Sequence, residues 1–154
     1  MARFTDRLAG ALSPNAALAR AERAASRGRA AEAFALFARA AQAGLTEAKY
    51  RVGRAYLEGA GVPPSPAEAA RWLERAANDG NAFAQSLLAQ LYLQGVAPPA
   101  PQSANRATNL FKPAGTAAAA DFEKALRWAK AAAAAGTPDG QAILGYLLTS
   151  GPAA

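Results

Sequence analysis

The sequence contains no cysteine and no histidine, and these two absences limit the chemistry that the chain can perform. Without cysteine there can be no disulfide and no thiolate nucleophile. Without either residue, the common zinc ligands and the imidazole general base are also missing. No phosphate-binding glycine loop or catalytic grouping of carboxylates compensates for them. We therefore expect no metal site, no cofactor and no enzymatic activity.

Valine and isoleucine are almost as scarce, with four residues between them in a chain of 154. Because strands favour β-branched and aromatic residues, this composition argues against a sheet. Alanine accounts for 47 residues, and it is the strongest helix former because it loses no side-chain entropy. The composition predicts an all-α protein with closely packed helices.

Long apolar runs are missing as well, and none approaches the roughly 18 residues of a membrane span. The first residues include an acidic side chain and only a very short apolar stretch, which is unlike a secretory signal. We expect a cytoplasmic protein, with the periplasm as the alternative. The net charge of +6 comes from 13 arginines and four lysines against 11 acidic residues.

Two kinds of segment alternate along the chain. The first kind is EAKYRVGRAYLEG at 47–59, FAQSLLAQLYLQG at 83–95 and DGQAILGYLLTSG at 139–151. The second kind is AEAFALFARAAQAG at 31–44, AEAARWLERAANDG at 67–80 and FEKALRWAKAAAAAG at 122–136. The final glycines of the second kind are separated by 36 residues and then by 56, which is one repeat plus an insertion of 20. A period of this length is typical of helical repeat proteins.

Each segment carries signals for the start and the end of a helix. Ser65 followed by Pro66 is a typical helix start, and Gly44, Gly80 and Gly136 are suited to helix C-terminal turns. Thr46 or Asn81 could cap other helices. All ten prolines fall outside the expected helix interiors. We therefore predict helices near 14–27, 30–43, 46–58, 66–79, 81–94, 120–135 and 137–150.

Small and large residues at equivalent positions predict how these helices pack. Gly53 and Gly145 lie inside helices, where glycine destabilises, so we expect another helix to cross closely at both. Trp72 and Trp128 are expected to fill the gaps between helices as buried wedges. The helix at 66–79 should be the most buried of the seven.

The pattern A-x-x-x-[LV]-G-x-x-Y-L-x-G-x-G-V, followed by A-x-x-W-x-x-x-A-A-x-x-G, resembles the Sel-one-like repeat (SLR), a relative of the tetratricopeptide repeat (TPR). This chain shows it from Ala48 to Val62 and from Ala69 to Gly80. The resemblance implies a right-handed α/α superhelix that acts as a scaffold or adaptor for other proteins. Its expected divisions are units at about 14–44, 45–80 and 81–136 and a half unit at 137–151, between tails at 1–13 and 152–154.

The resemblance also implies that the first helix of each unit lines the concave side and binds the partner. Aromatic and arginine side chains, which dominate binding energy at many interfaces, occur at these positions. We expect a partner peptide or helix to dock along this surface, because packing in the helix stripes does not account for its residues. The alternative is that Tyr50 and Tyr146 only pack between adjacent first helices. The expected binding residues are Glu47, Tyr50, Arg54, Phe83, Ser86, Gln90, Asp139 and Tyr146.

A basic stripe offers a second interpretation of the function. Arg20, Arg23 and Arg27 share one helix face and could bind nucleic acid or another anionic surface. The same stripe is also compatible with the solvated outer face of a terminal helix. Because no aromatic residues are interleaved for base stacking, we consider nucleic acid an unlikely partner.

Two further segments are candidate contact regions. The insertion at 96–120 is either a tolerated surface loop or a partner-binding arm with Leu110 and Phe111 as its apolar anchor. The helix at 137–150 carries Ile143, Leu144, Leu147 and Leu148 with no later helix in this sequence to cover them. We expect weak self-association or a partner at this helix.

Overall fold

The computed structural model describes residues 13–96 and 119–150, which form seven α-helices and no strand. The helices are α1 (Pro14–Ser26), α2 (Ala30–Gln42), α3 (Thr46–Glu58), α4 (Pro66–Asn78), α5 (Ala82–Leu93), α6 (Phe122–Ala134) and α7 (Pro138–Ser150). All seven were expected, and every boundary lies within two residues of its predicted position. The two tails and most of the 96–120 insertion, with Leu110 and Phe111, lie outside the described residues.

Side-chain caps explain where most helices begin. The side chains of Ser65, Asn81 and Asp121 each accept a hydrogen bond from the backbone N–H three residues later, which satisfies a donor at the helix start. The prediction of Thr46 as a cap is wrong. Leu45 holds the N-cap position without a side-chain bond, and the Thr46 hydroxyl instead contacts Asp79.

Glycine ends the second helix of each pair through its backbone conformation. Gly44 and Gly80 have φ angles of +101° and +91°, which strain any residue with a β-carbon. At the next residue, the N–H of Leu45 donates to the Ala40 carbonyl at 3.2 Å. This six-residue closure satisfies a carbonyl that the helix leaves unpaired and turns the chain back on itself.

Consecutive helices pack against each other, in the pairs α1 with α2, α3 with α4, and α5 with α6. The last helix, α7, packs on α6 and also reaches α5. The molecule is therefore an all-α helical repeat solenoid. We call α1, α3, α5 and α7 the first-helix row, and α2, α4 and α6 the second-helix row.

Two clusters of buried side chains fill the space between these helices. The N-terminal core lies among α1, α2 and α3, and Phe37 and Val52 are its two buried residues larger than alanine. The C-terminal core extends from α4 to α7 and includes Leu73, Leu88 and Trp128. Alanine supplies most of the remaining buried positions, which lets the helix axes approach closely.

Several packing expectations need correction. Trp72 is only half-buried, while its neighbour Leu73 is fully enclosed, so the leucine fills the gap that was assigned to the tryptophan. Trp128 is buried at 6% exposure, as expected. The most buried helix is α5, with six buried residues, rather than α4, with five.

The two helical glycines also behave differently. A β-carbon on Gly53 would lie 2.7 Å from Cγ of Leu73, so another helix does cross closely there. A β-carbon on Gly145 would meet no atom within 4 Å, so the packing expected at that position is wrong. The physical reason is that Gly53 faces α4, whereas Gly145 is exposed on the surface of α7.

Candidate functional site

Two aromatic rings from neighbouring first-row helices meet at the surface. Tyr50 on α3 and Phe83 at the start of α5 have ring centroids 6.2 Å apart, with a tilt of 35° between the rings. Phe83 is 58% exposed, which is unusual for a phenylalanine in a folded domain. Arg54 extends over the Tyr50 ring, with Cζ 6.0 Å from the centroid. We call these three residues the aromatic patch.

Glu58 orients the arginine of the aromatic patch. Nε of Arg54 donates to Oε1 of Glu58 at 3.0 Å, and Nη2 donates to the same oxygen. This hydrogen bond raises the pKa of Arg54 above its already high value, so the guanidinium carries a positive charge at any physiological pH. The patch therefore combines an exposed apolar ring with a fixed cation.

Three other expected binding residues are also accessible on the first-helix row. Glu47 is half-exposed and accepts a hydrogen bond from Nε of Arg51 at 2.7 Å. Gln90 and Asp139 are exposed on α5 and α7. Tyr146 is 56% exposed, but no aromatic or ionic contact joins it to the aromatic patch in the part of the chain that the structure describes. The eight expected residues are thus not one continuous cluster.

Ser86 departs from the expected surface. It is 4% exposed, and its hydroxyl lies 2.9 Å from the Thr137 hydroxyl, which itself donates to the Ala132 carbonyl. This buried pair links α5 to the start of α7. Packing therefore accounts for Ser86, contrary to the expectation for all eight positions, and we remove it from the candidate surface.

Two cavities flank Arg54, and the helix residues that line them occupy equivalent positions of successive repeats. The first, of about 240 Å³, lies between the α1–α2 hairpin and α3; the second, of about 300 Å³, lies between α3 and α5. Helix α3 contributes Arg51, Arg54, Ala55 and Glu58 to the first, and α5 with its C-cap residue contributes Leu87, Gln90, Leu91 and Gln94 to the second. Each α5 residue lies 36 positions after its α3 counterpart.

Sequence reasoning missed six of these eight residues. It selected Arg54 and Gln90 but not Arg51, Glu58 or Gln94, which lie one helical turn away on the same face. The 36-residue period could have found them, because it relates every lining position of α3 to one of α5. What it could not show is that the space beside these positions is open.

The basic stripe forms a separate cleft at the other edge of α1. Arg20, Arg23 and Arg27 are all exposed and surround a cleft of about 200 Å³ together with Arg29. Arg29 is partly neutralised by Glu32 at 3.4 Å. The structure thus brings the three predicted arginines together, on a surface that shares no lining residue with the two cavities.

The face of α7 is only partly covered. Leu147 is buried at 8% exposure by the chain itself, whereas Leu148 is 69% exposed. Leu148 occupies the position that Tyr92 holds in α5, where the tyrosine is 3% exposed because α6 covers it. The expected apolar edge is therefore present but consists mainly of Leu148 and Tyr146.

Across 13–96 and 119–150, no group of three or more acidic side chains is arranged to hold a metal ion. None of the seven described helices combines the length and the apolar character that a membrane crossing requires.

Comparisons with known proteins agree with this architecture. The chain is similar in structure to c5321, a protective antigen of uropathogenic Escherichia coli with an SLR fold, at a TM-score of 0.74 and 26% identity. That match covers 97% of this chain and 28% of the other. A Sel1 repeat protein from Oxalobacter formigenes shares the fold, at a TM-score of 0.70 and 22% identity, over 90% of this chain and 51% of that one. No curated protein matches the sequence.

The family assignment rests on the sequence itself. The model for the Sel1 repeat matches residues 30–45, 46–81, 82–118 and 114–137, which is well over half of the chain. Together with the seven-helix solenoid and its 36-residue register, this match shows that the chain belongs to the Sel1 repeat family.

Proposed function

We propose that this protein is a non-catalytic scaffold that holds a segment of a partner protein along its first-helix row. Sel1 repeats are generally protein–protein interaction modules. The observation that carries the proposal here is the aromatic patch, where Phe83 is exposed although it stacks on Tyr50. The patch joins an exposed phenylalanine to a half-buried tyrosine and an arginine, and tyrosine and arginine are enriched among the residues that dominate binding energy at protein interfaces.

The docking line that we propose runs through Tyr50, Arg54, Phe83 and Gln90. Glu47 lies at one edge of this line, and Asp139 and Tyr146 on α7 extend it only for a longer partner segment. Arg54 and Gln90 also line the second cavity, which offers a recess with Leu57 and Leu87 in its walls. A peptide or helix with alternating apolar and polar side chains matches this surface.

The proposal is tested with a partner segment selected by display of fragments from the source proteome. The affinity of the selected segment is measured by fluorescence anisotropy for the parent chain and for Tyr50→Ala, Arg54→Ala and Phe83→Ala. We expect Phe83→Ala and Tyr50→Ala to weaken binding by about tenfold or more, as truncation of an interface anchor does. Arg54→Ala should weaken it less.

Phe122→Ala is the matched control, because Phe122 is also a partly exposed phenylalanine at a helix start, but on the second-helix row. It should leave the affinity unchanged. Thermal melts accompany each variant to separate lost binding from lost folding. If all three first-row variants keep full affinity, the partner binds another face and the proposed docking line is refuted.

The basic cleft supports a second candidate function. Three exposed arginines around one recess suit an anionic surface or a nucleic acid phosphate backbone. If this function is correct, binding of duplex DNA or RNA weakens steeply with added salt and is lost in the Arg20→Gln/Arg23→Gln/Arg27→Gln variant. Binding that is insensitive to this triple change would eliminate the candidate.

A further inference from the structure

The cavity between the α1–α2 hairpin and α3 has apolar walls. Ala33, Phe37 and Ala55 are buried at its base, and Phe34 and Ala25 form its sides. The ring of Phe34 is held in place by an edge contact with Tyr56, with centroids 5.4 Å apart and planes at 87°. At about 240 Å³ the cavity is smaller than the pockets of roughly 300 to 1,000 Å³ that hold drug-sized ligands. Its size suits one large side chain.

Two guanidinium groups stand on the α3 side of this cavity. Arg51 uses Nε to bond Glu47, and Arg54 uses Nε and Nη2 to bond a single oxygen of Glu58. In the described part of the chain, the bond to Glu47 leaves both terminal nitrogens of Arg51 without an acceptor. An arginine with unused donors beside an apolar recess favours a carboxylate next to an apolar group.

We propose that this cavity, hereafter the anchor cavity, binds an aromatic side chain that has an acidic residue next to it in a partner segment. A partner segment, rather than a free small molecule, is the occupant because Arg54 also lines the second cavity, one repeat further on. A chain lying across both recesses uses the repeat spacing, which a small molecule cannot do. This inference rests on the proposed scaffold function and names the chemistry of its ligand.

The α5 wall of the second cavity lacks the charged side chains of the α3 wall of the anchor cavity. This difference determines which part of the segment lies over each helix. At the positions of Arg51 and Arg54, the second cavity has Leu87 and Gln90. The acidic part of the segment therefore lies over α3 and its uncharged part over α5.

Three blocked pentapeptides test the proposal by NMR titration of the full chain labelled with nitrogen-15. The first has phenylalanine between two aspartates, the second has phenylalanine between two asparagines, and the third has alanine between two aspartates. We expect the first peptide to shift the amide signals of Ala33, Phe37 and Ala55. The asparagine peptide should bind about threefold more weakly, as the loss of solvent-exposed ion pairs predicts. The alanine peptide should produce no shift at these amides.

Two variants, each with a matched control, locate the binding. Ala25→Phe places a ring in the cavity from an exposed position on α1, and it should abolish the shifts. Ala19→Phe is its matched control, because Ala19 is also exposed on α1 but does not line the cavity. In Arg51→Gln, the aspartate peptide should bind no better than the asparagine peptide. Arg71→Gln, on the second-helix row, controls for net charge.

The outcomes separate this proposal from the scaffold function. The proposal is overturned if the aspartate and asparagine peptides bind equally well, or if the alanine peptide binds as well as the first peptide. It is also overturned if none of the three peptides binds. Shifts confined to Tyr50 and Phe83 also overturn it and leave the scaffold function standing. The peptide could instead enter the anchor cavity while Tyr50→Ala and Phe83→Ala leave the affinity of the selected partner segment unchanged. That result would refute the docking line and support the anchor cavity.

Discussion

The two halves of the described chain use one repeat pattern to build cores of different size. The N-terminal and C-terminal cores each bury seven alanines. To these the N-terminal core adds only Phe37 and Val52, whereas the C-terminal core adds six larger residues. Because burial of a large apolar side chain contributes about 1.5 to 3 kcal/mol, the C-terminal core supplies most of the hydrophobic stabilisation.

The first-helix row shows the opposite gradient in charge. Helices α1 and α3 carry eight charged residues, whereas α5 and α7 carry only Asp139. Both proposed charge-recognition surfaces, the anchor cavity and the basic cleft, therefore lie in the half with the smaller core. The charged side chains of the first-helix row therefore lie mainly away from the larger core, whereas the aromatic patch lies against it.

The two tryptophans test the comparison most strongly, because they hold the same repeat position in the two halves. Trp128 is 6% exposed within the C-terminal core, so Trp128→Ala should cost about 3 to 5 kcal/mol in the free energy of unfolding. Trp72 is half-buried at the edge of the N-terminal core, with the Arg75 guanidinium carbon 4.9 Å from its ring centroid. Trp72→Ala should cost only about 1 to 2 kcal/mol, as partial burial and a surface cation–π contact predict.

Urea denaturation followed by circular dichroism measures both losses. Trp128→Phe serves as a control, since Nε1 of Trp128 finds no acceptor in the described part of the chain and its removal relieves an unpaired buried donor. It should cost clearly less than Trp128→Ala. Equal losses for the two alanine variants would show that the cores do not differ in the way that burial indicates.

Hydrogen exchange tests whether the halves open separately. Backbone amides of α1 and α2 should exchange through openings that cost less free energy than those of α5 and α6, by more than about 2 kcal/mol. The reason is that α1 and α2 are held mainly by alanine contacts. The measurement is native-state exchange at low denaturant. Uniform protection of all seven helices would mean that the solenoid opens as one unit.

The helical glycines provide a matched pair with opposite expected signs. In Gly53→Ala the new β-carbon meets the enclosed Leu73 at 2.7 Å, so overpacking of about 1 to 3 kcal/mol outweighs the gain in helix propensity. Gly145→Ala meets no atom within 4 Å and should stabilise the fold by about 0.5 to 1 kcal/mol. Thermal melts decide the sign. In a chain that already carries Leu73→Ala, the further change Gly53→Ala should cost little stability, because the clashing side chain is gone. Stabilisation by Gly53→Ala in the parent chain would contradict the close crossing.

The helices could be predicted from sequence because their signals are local. Ser65 before Pro66 and glycine after each second helix act within a few residues, so the boundaries hold to within two positions. Packing depends on what lies opposite, and there the sequence misleads. Periodicity alone cannot distinguish Trp72 from Leu73 as the enclosed residue, nor show that Gly145 faces open space while Gly53 faces a helix.

The candidate site could be predicted only in outline. Residue type and repeat register identified Tyr50, Arg54 and Phe83, which the structure brings together as one patch. The same register wrongly selected Ser86. Its hydroxyl meets that of Thr137, which lies 51 residues later just before α7, and no local sequence signal indicates this contact. The anchor cavity was missed for the same reason, since its walls come from three helices and its volume is a property of their packing.

The smallest predicted effect concerns an ion pair that ties the two halves together. Lys49 on α3 donates to Asp79, the residue that ends α4, and this hydrogen bond holds the pKa of Asp79 below its usual value. A lowered pKa in the folded state stabilises the fold at pH values above the ordinary aspartate pKa. This contribution is lost as the pH falls through the folded-state pKa. Because the pair is partly exposed to solvent, we expect it to contribute less than about 1 kcal/mol.

Asp79→Asn should therefore lower the urea midpoint slightly near pH 7, and its difference from the parent chain should vanish near pH 2. Lys49→Gln is the matched control, since it removes the same bond from the other side and should show the same pH dependence. In the double variant the two losses should not add, because both changes remove one interaction. A difference that persists unchanged at low pH would assign the effect of Asp79 to its helix-end position instead of the bond to Lys49.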